Sequence, residues 1–415
     1  MKLLVIGSGG REHAIAYHLL KSPQVKKVFC APGNPGMQAD GIECLEIKEN
    51  DFEALVDLAK SEQIDWTFVG PEGPLFNGLV DRFLAAGQIA FGPSQAAAQI
   101  EGSKLFAKNL MEKYNIPTAS YQSFTDESSA LTYIDQVGAP IVIKVDGPAA
   151  GKGVTVAQDI DQARQAVKEA FANSAQNQRL VIEECLQGSE YSIFSFVYNG
   201  LVCHSLPARD HKRIFDGDLG PNTGGMGAFA PVEDIDEELY QESLRTIVEP
   251  VLAAMDKEGV PFNGVLYTGL MKTPAGPKVI EFNCRLGDPE TQVVLPLLKT
   301  DFAGIIDDLI HGRETKVDWH EDKSCLGVIL AAEGYPAKAV KGIEFSLAAN
   351  TNPSMKTYFA GISSYSPLIS SGGRIAMVTC LTDNRSEARQ KVYNYLGQQD
   401  LPQIQYRKDI GQKFE

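Results

Sequence analysis

The stretch VIEFNCRLGDPE sets Glu281, Asn283 and Arg285 at alternate positions of a strand-like run, with Phe282 and Cys284 between them. Side chains alternate across a strand, so the three polar groups are expected on one face and the other two in the core. A carboxylate and an amide oxygen two positions apart are hard ligands suited to Mg²⁺ or Mn²⁺, with water and phosphate oxygens completing the shell. Arg285 beside them suits the charge of a transferring phosphoryl group. A triphosphate held there needs a second wall, and KVDGPAAGKGV, residues 144–154, offers one. It is not a Walker loop: only three residues separate Gly147 from Gly151, and Gly153 stands where the metal-binding hydroxyl belongs. Lys104, Lys144 and Lys152 together with this loop make a phosphate cradle.

Other polar clusters follow apolar runs. VIGSGGREHA keeps Gly7 and Gly9 of a dinucleotide fingerprint but has Glu12 for the third glycine, and CAPGNPG supplies no acid after the second strand, which disfavours NAD. Gly9 and Gly10 are expected to leave amides exposed to an anion at a helix amino terminus. Glu72, in FVGPEGPL, is placed to accept from sugar hydroxyls. In LVIEECLQGSE, Glu183 and Glu184 end an apolar strand, which is costly unless a ligand or cation uses them, and Glu190 follows a glycine turn.

The elements that must position these groups alternate. Strands and helices interleave to residue 92, with helices at 11–21, 51–63 and 77–87, and imply a parallel sheet covered on both faces. QAAAQIEGSKLFAKNLMEKYNIP reads as one long helix closed by Asn115 and Pro117. Residues 118–200 give strand, helix 126–137, strand, the glycine loop as a hairpin tip, strand, helix 161–172 and strand. The passage 210–230 has little periodicity, as functional loops do. A helix near 236–258, strands at FNGVLYTGLMKT and GPKVIEFNCR, and a helix at 291–311 follow, then strands with one helix at 384–398.

At 415 residues and 44% hydrophobic, the chain can build two or three cores. A formal charge of -15 argues against nucleic acid or an anionic membrane as partner. Seven scattered cysteines with no C-x-x-C spacing read as free thiols in a reducing cytoplasm, and neither a signal peptide nor a membrane span is visible.

In their order along the chain, GSGGREHA, APGNPG, GPEGPL, EGSK, AAGKGV, VIEE, GPNTGGMGA, VIEFNCRLGDPETQ and RKDIG resemble the ATP-grasp superfamily and, within it, the phosphoribosylamine-glycine ligase family. The resemblance implies a multidomain α/β and α+β fold: an amino-terminal parallel α/β domain (1–107), a two-part ATP-grasp fold (108–313, lid subdomain about 120–190) and a small carboxyl-terminal α+β domain (325–415). It implies ligation of glycine to 5-phosphoribosylamine with ATP, through glycyl phosphate, in purine biosynthesis by a monomer. ATP would meet Lys104, Lys144, Gly151, Lys152 and Gly153 at its phosphates, Glu183, Glu184 and Leu186 at adenine and Glu190 at ribose, with metal on Glu281 and Asn283. Arg285, Lys144 and Lys212 would be catalytic. Gly9, Gly10, Asn34, Glu72, Asp210, Asn222, Gly224 and Asp288 would bind substrate. The chain departs from the family pattern at Pro148, at SEY (189–191), where a second glutamate would precede Glu190, and in RDHKRIFDGDLG, and its strand 264–272 has no third acidic metal ligand. A nicotinamide oxidoreductase would leave EFNCR unexplained, and a nucleotide sensor would be expected to lose a metal ligand or a phosphate lysine. A related ligase for another carboxylate is the nearest rival.

Overall fold

The computed structural model describes residues 1–147, 153–172 and 179–412. The amino-terminal region is a five-stranded parallel sheet with Lys2–Gly7 at its centre, Lys27–Pro32 and Glu43–Cys44 on one side, and Trp66–Val69 and Ala90–Phe91 on the other. Leu3 to Ile6 are fully buried, as a strand covered on both faces requires. The order reverses beside the first strand, so Gly7, Gly33 and Gly70 gather at the carboxyl edge, where open α/β sheets bind ligands.

Two antiparallel sheets follow. Tyr121–Phe124, Leu180–Glu184, Ile141–Val145 and Val154–Ala157 form the smaller, with helices Glu127–Val137 and Ile160–Ala172 closing a separate core around Ile134, Ile143, Val167 and Ile182. The larger joins Leu201–His204, Ser189–Tyr198, Gly264–Thr273 and Gly276–Asn283. The expected hairpin is present: Val145 N–H donates to Gly153 O at 2.8 Å.

The carboxyl-terminal sheet is not built from the last residues alone. Ser324–Ala332, Arg374–Thr382, Met355–Phe359 and Ile404–Gln405 are joined by Arg209–Asp210 and Gly227–Ala230. The aperiodic reading of 210–230 is thereby corrected: it also holds a small hairpin, Arg213–Phe215 with Leu219–Asn222. Its strands are too short, and too rich in glycine, to impose a period.

Two expected helices are interrupted. Gln99–Gly102 and Lys104–Lys113 are separate because Ser103 is extended (φ -134°, ψ 115°) and caps the second through Phe106 N–H. The helix expected at 77–87 is present as Leu79–Ala85, beginning after the left-handed Gly78 (φ 79°), with a short helix Glu72–Phe76 ahead of it. In 291–311, Leu298 turns extended after Pro296, and Asp301 caps a new helix, Phe302–Ile310. Residues 237–257 run as one helical path with a π turn at Leu244–Val248.

Candidate active site

The two antiparallel sheets meet along a seam. Val279 N–H donates to Pro117 O at 2.9 Å and Thr118 Oγ1 to Val279 O at 2.9 Å, which fixes the smaller sheet to the strand carrying Glu281 and Asn283. Lys144 extends from the smaller sheet to donate to Ile280 O at 3.0 Å. Its ammonium also lies 2.9 Å from Glu183, which Lys108 approaches to 3.2 Å. All three are buried. The carboxylates that seemed costly at the strand end thus have cations: two for Glu183, and for Glu184 the more distant Lys278 at 3.8 Å. Both lysines meet one Glu183 oxygen, Oε2, and Oε1 is buried with no partner among the described residues.

The glycine hairpin is anchored at its near end. Lys104 donates to Gly147 O at 2.9 Å, and Asp146 accepts from Ser103 Oγ and Leu105 N–H, both at 3.2 Å. Burial lowers the Lys104 pKa, with Glu281 opposing and Lys144 adding to the effect. Gly151 and Lys152 lie outside the described residues, as does Pro148; Gly153 ends the hairpin.

On the other wall, Phe282 and Cys284 are buried as expected, and Asn283 Nδ2 stands 3.5 Å from Glu281 Oε1. The donor set is one carboxylate and one amide, and no group of three acidic, His or Cys side chains that could hold a metal occurs among the described residues. Such a pair fits a divalent ion that takes its other oxygens from a nucleotide and water. Arg285 does not join them by alternation, because the strand ends at Asn283. Its guanidinium lies 3.3 Å from Glu101 and 3.5 Å from Glu72, and those carboxylates hold its charge against burial.

A second polar group closes the cleft. Lys212 is 2.7 Å from Asp210 and 3.5 Å from Glu190, and its pKa is raised well above the lysine range: burial opposes the charge, but Asp210, Tyr267, Glu190 and Glu281 outweigh it. Tyr267 donates to Glu290 at 3.1 Å; burial, then the charge of Asp210, pushes the Glu290 carboxyl up to about 7. Leu186 is half-buried beyond the strand end, and Glu190 is exposed.

The amino-terminal groups are engaged differently. The exposed-amide expectation at Gly9 and Gly10 is corrected: Gly9 N–H donates to Glu12 Oε2 at 2.8 Å, and Gly10 is buried. Glu12 fits because Gly7 and Gly70 lack Cβ atoms, which would stand 2.5 and 2.4 Å from its side chain. Asn34 Nδ2 donates to Ser8 O and Phe359 O, and its Oδ1 accepts from Gly36 N–H. Glu72 lies between Arg285 and Arg11, and Arg11 also donates to Leu286 O at 3.1 Å. Asp288 pairs with Arg374 at 2.9 Å, and Gly224 N–H donates to Tyr335 Oη at 2.9 Å. Asn222 pairs with Arg213 in the small hairpin. Lys108, Arg11, Glu101, Glu290 and Arg374 were absent from the expected set. Lys108 had a signal, one helical turn after Lys104, and Glu101 and Glu290 sit inside motifs already singled out.

Family models for phosphoribosylglycinamide synthetase match residues 1–101 (N domain), 102–291 (ATP-grasp (A) domain) and 325–413 (C domain). A phosphoribosylamine–glycine ligase of Streptococcus pyogenes is 49% identical over 100% of this chain and 99% of its own. The crystal structure of a phosphoribosylamine–glycine ligase of Thermotoga maritima superposes with a TM-score of 0.84 at 31% identity, covering 99% of this chain and 100% of that one. The biotin carboxylase domain of Hydrogenobacter thermophilus 2-oxoglutarate carboxylase, solved with MgADP, ADP and bicarbonate, has the same fold at 16% identity, with TM-score 0.73 over 98% of this chain and 91% of that one.

Proposed function

The chain belongs to the phosphoribosylglycinamide synthetase family, and from that premise we infer that it joins glycine to 5-phosphoribosylamine in an ATP-dependent reaction of purine biosynthesis. Likeness over the full length supports the activity. The opposed pairs Lys144–Glu183 and Glu281–Asn283 support the chemistry.

Glycine's carboxylate must be activated before an amine can displace an oxygen from it. In our reading that carboxylate attacks the γ-phosphorus, the bond to the bridging oxygen breaks, and ADP leaves glycyl phosphate. The amine of 5-phosphoribosylamine then forms the C–N bond, phosphate departs with the C–O pair, and the amine loses a proton. Glu281 and Asn283 would hold Mg²⁺ or Mn²⁺, which supplies charge neutralisation at the phosphates. Lys104 and Lys144 face the phosphates, with Gly153 beside them; Gly151 and Lys152, outside the described residues, are assigned to the same phosphates from the sequence alone. Glu183 Oε1, lacking a partner, accepts from the adenine amino group, with Glu184 and Leu186 beside the ring and Glu190 on the ribose. Lys212 and Arg285 neutralise developing charge, and water exclusion protects the acyl phosphate. Gly9, Gly10, Asn34, Glu72, Asp210, Asn222, Gly224 and Asp288 surround the substrate pocket, some of them by shaping it. The domain limits 1–107, 108–313 and 325–415 remain our division of the chain.

All seven cysteines are unpaired, and among the described residues no helix is long and apolar enough to cross a membrane; a cytoplasmic location fits both. Transfer of ¹⁸O from labelled glycine carboxylate into phosphate tests the intermediate, and its absence removes glycyl phosphate from the path. ATP consumption that needs glycine and phosphoribosylamine together, against other carboxylates and amines, tests the substrates.

A further inference from the structure

A cavity of about 410 Å³ lies outside the cleft, where the helix Gly10–Leu20, residues 296–302 and the strands Met355–Phe359 and Arg374–Thr382 meet. Its charged lining is Lys21, Lys299, Lys356 and Asp301. Lys21 and Lys356 each set an ammonium 4.3 Å from the centre of the Tyr17 ring. One acid also lines the cavity: Asp301 keeps its negative charge while accepting from Ser22 Oγ at 2.7 Å and capping a helix through Ala303 N–H at 3.1 Å. Lys356 pairs with Asp40, itself bonded to His13 at 2.7 Å. Among the described residues, no hydrogen bond or ion pair holds the ammonium of Lys21 or Lys299.

Around the cavity the three ammonium groups outnumber the carboxylates Asp301 and Asp40 by one, a local positive excess in a chain of net charge -15, with Lys21 and Lys299 as its unpaired members among the described residues. Neighbouring groups register it. Burial and then Lys356 lower the Lys21 pKa, and burial with Lys21 and Lys356 holds His18 down to about 3, leaving its ring neutral against Tyr358 Oη at 3.2 Å. An anion would relieve the repulsion. Pro296, Leu298 and Met355 add apolar wall, and the volume falls within the roughly 300–1,000 Å³ of small-molecule sites.

We propose that this cavity is a second small-molecule site taking an organic phosphate, its anionic group held by Lys21, Lys299 and Lys356 and its uncharged body against Pro296, Leu298 and Met355. The site joins all three regions of the chain, so its occupant contacts each of them. Calorimetric titration of the whole protein, with MgADP and glycinamide ribonucleotide saturating the catalytic cleft, tests it with AMP, ribose 5-phosphate and inorganic phosphate as probes. One ester should bind saturably at one site per chain. The double variant Lys21→Glu/Lys299→Glu should weaken that binding by at least about tenfold while turnover stays within about twofold. No saturable binding by any probe, or undiminished binding to the double variant, would overturn the site. Inorganic phosphate binding as tightly as both esters would overturn the role of the apolar wall.

Discussion

The cleft between the two antiparallel sheets and the carboxyl edge of the parallel sheet are both lined by polar residues that sequence motifs single out, yet they use them differently. In the cleft, among the described residues, Glu281 and Asn283 make one long mutual contact, and Glu183 keeps an oxygen without a partner. At the sheet edge, the groups already have partners: Gly9 meets Glu12, Asn34 joins two backbone segments, and Glu72 lies between two arginines. We read the spare hydrogen-bonding capacity of Glu281, Asn283 and Glu183 as the mark of groups that act on a ligand, and the filled capacity at the sheet edge as the mark of groups that hold the walls in place.

The sharpest way to break this contrast is Glu281→Gln. On the proposed metal role, turnover should fall by about two or more orders of magnitude with an unchanged melting temperature. Retained activity at saturating magnesium would dissolve the distinction. Next in size is Glu183→Gln, which leaves Lys108 and Lys144 buried without a countercharge; denaturant unfolding should record a loss of about 3 kcal/mol, together with a higher KM for ATP. Asn34→Ala probes the other region: a stability loss of about 2 kcal/mol is expected, with the KM for phosphoribosylamine changed less than the melting temperature would suggest. A large KM effect at full stability would move Asn34 into the ligand-handling class. The last is a pH effect. Glu290 ionises near 4.5 when unfolded and near 7 in the fold, so between those values the unfolded chain has shed a proton that the fold retains, and stability falls as pH rises. Glu290→Gln should flatten that slope in melting curves taken from pH 4.5 to 7.

Much of this was legible in the residues. The buried strand Lys2–Gly7, the hairpin around the glycine loop and the alternation of Glu281 with Phe282 and Asn283 follow from apolar runs and period-two spacing. The breaks at Ser103 and Leu298 were not, since each depends on a cap or a backbone turn that a helical period runs straight through. Nor was the fate of Arg285. Spacing places a side chain on a face only while the strand lasts, and its partners Glu72 and Glu101 come from segments about two hundred residues away in the chain, a pairing set by tertiary contact. The Lys108–Glu183 pair was half visible, in the i, i+4 relation of Lys108 to Lys104 and in an acid at the end of an apolar strand.

Because Gly227–Ala230 is hydrogen-bonded along Ser324–Ala332, and Arg374 reaches back to the carbonyls of Gly224 and Asp288, the tail of this protein is stitched into its middle. Trimming the chain before residue 324 would strip a neighbour from an interior strand and slacken the loop beside the pocket in one cut. Recombination between relatives would therefore have to carry both segments together, so the last ninety or so residues are inherited as part of the catalytic body and not as an attachment to it.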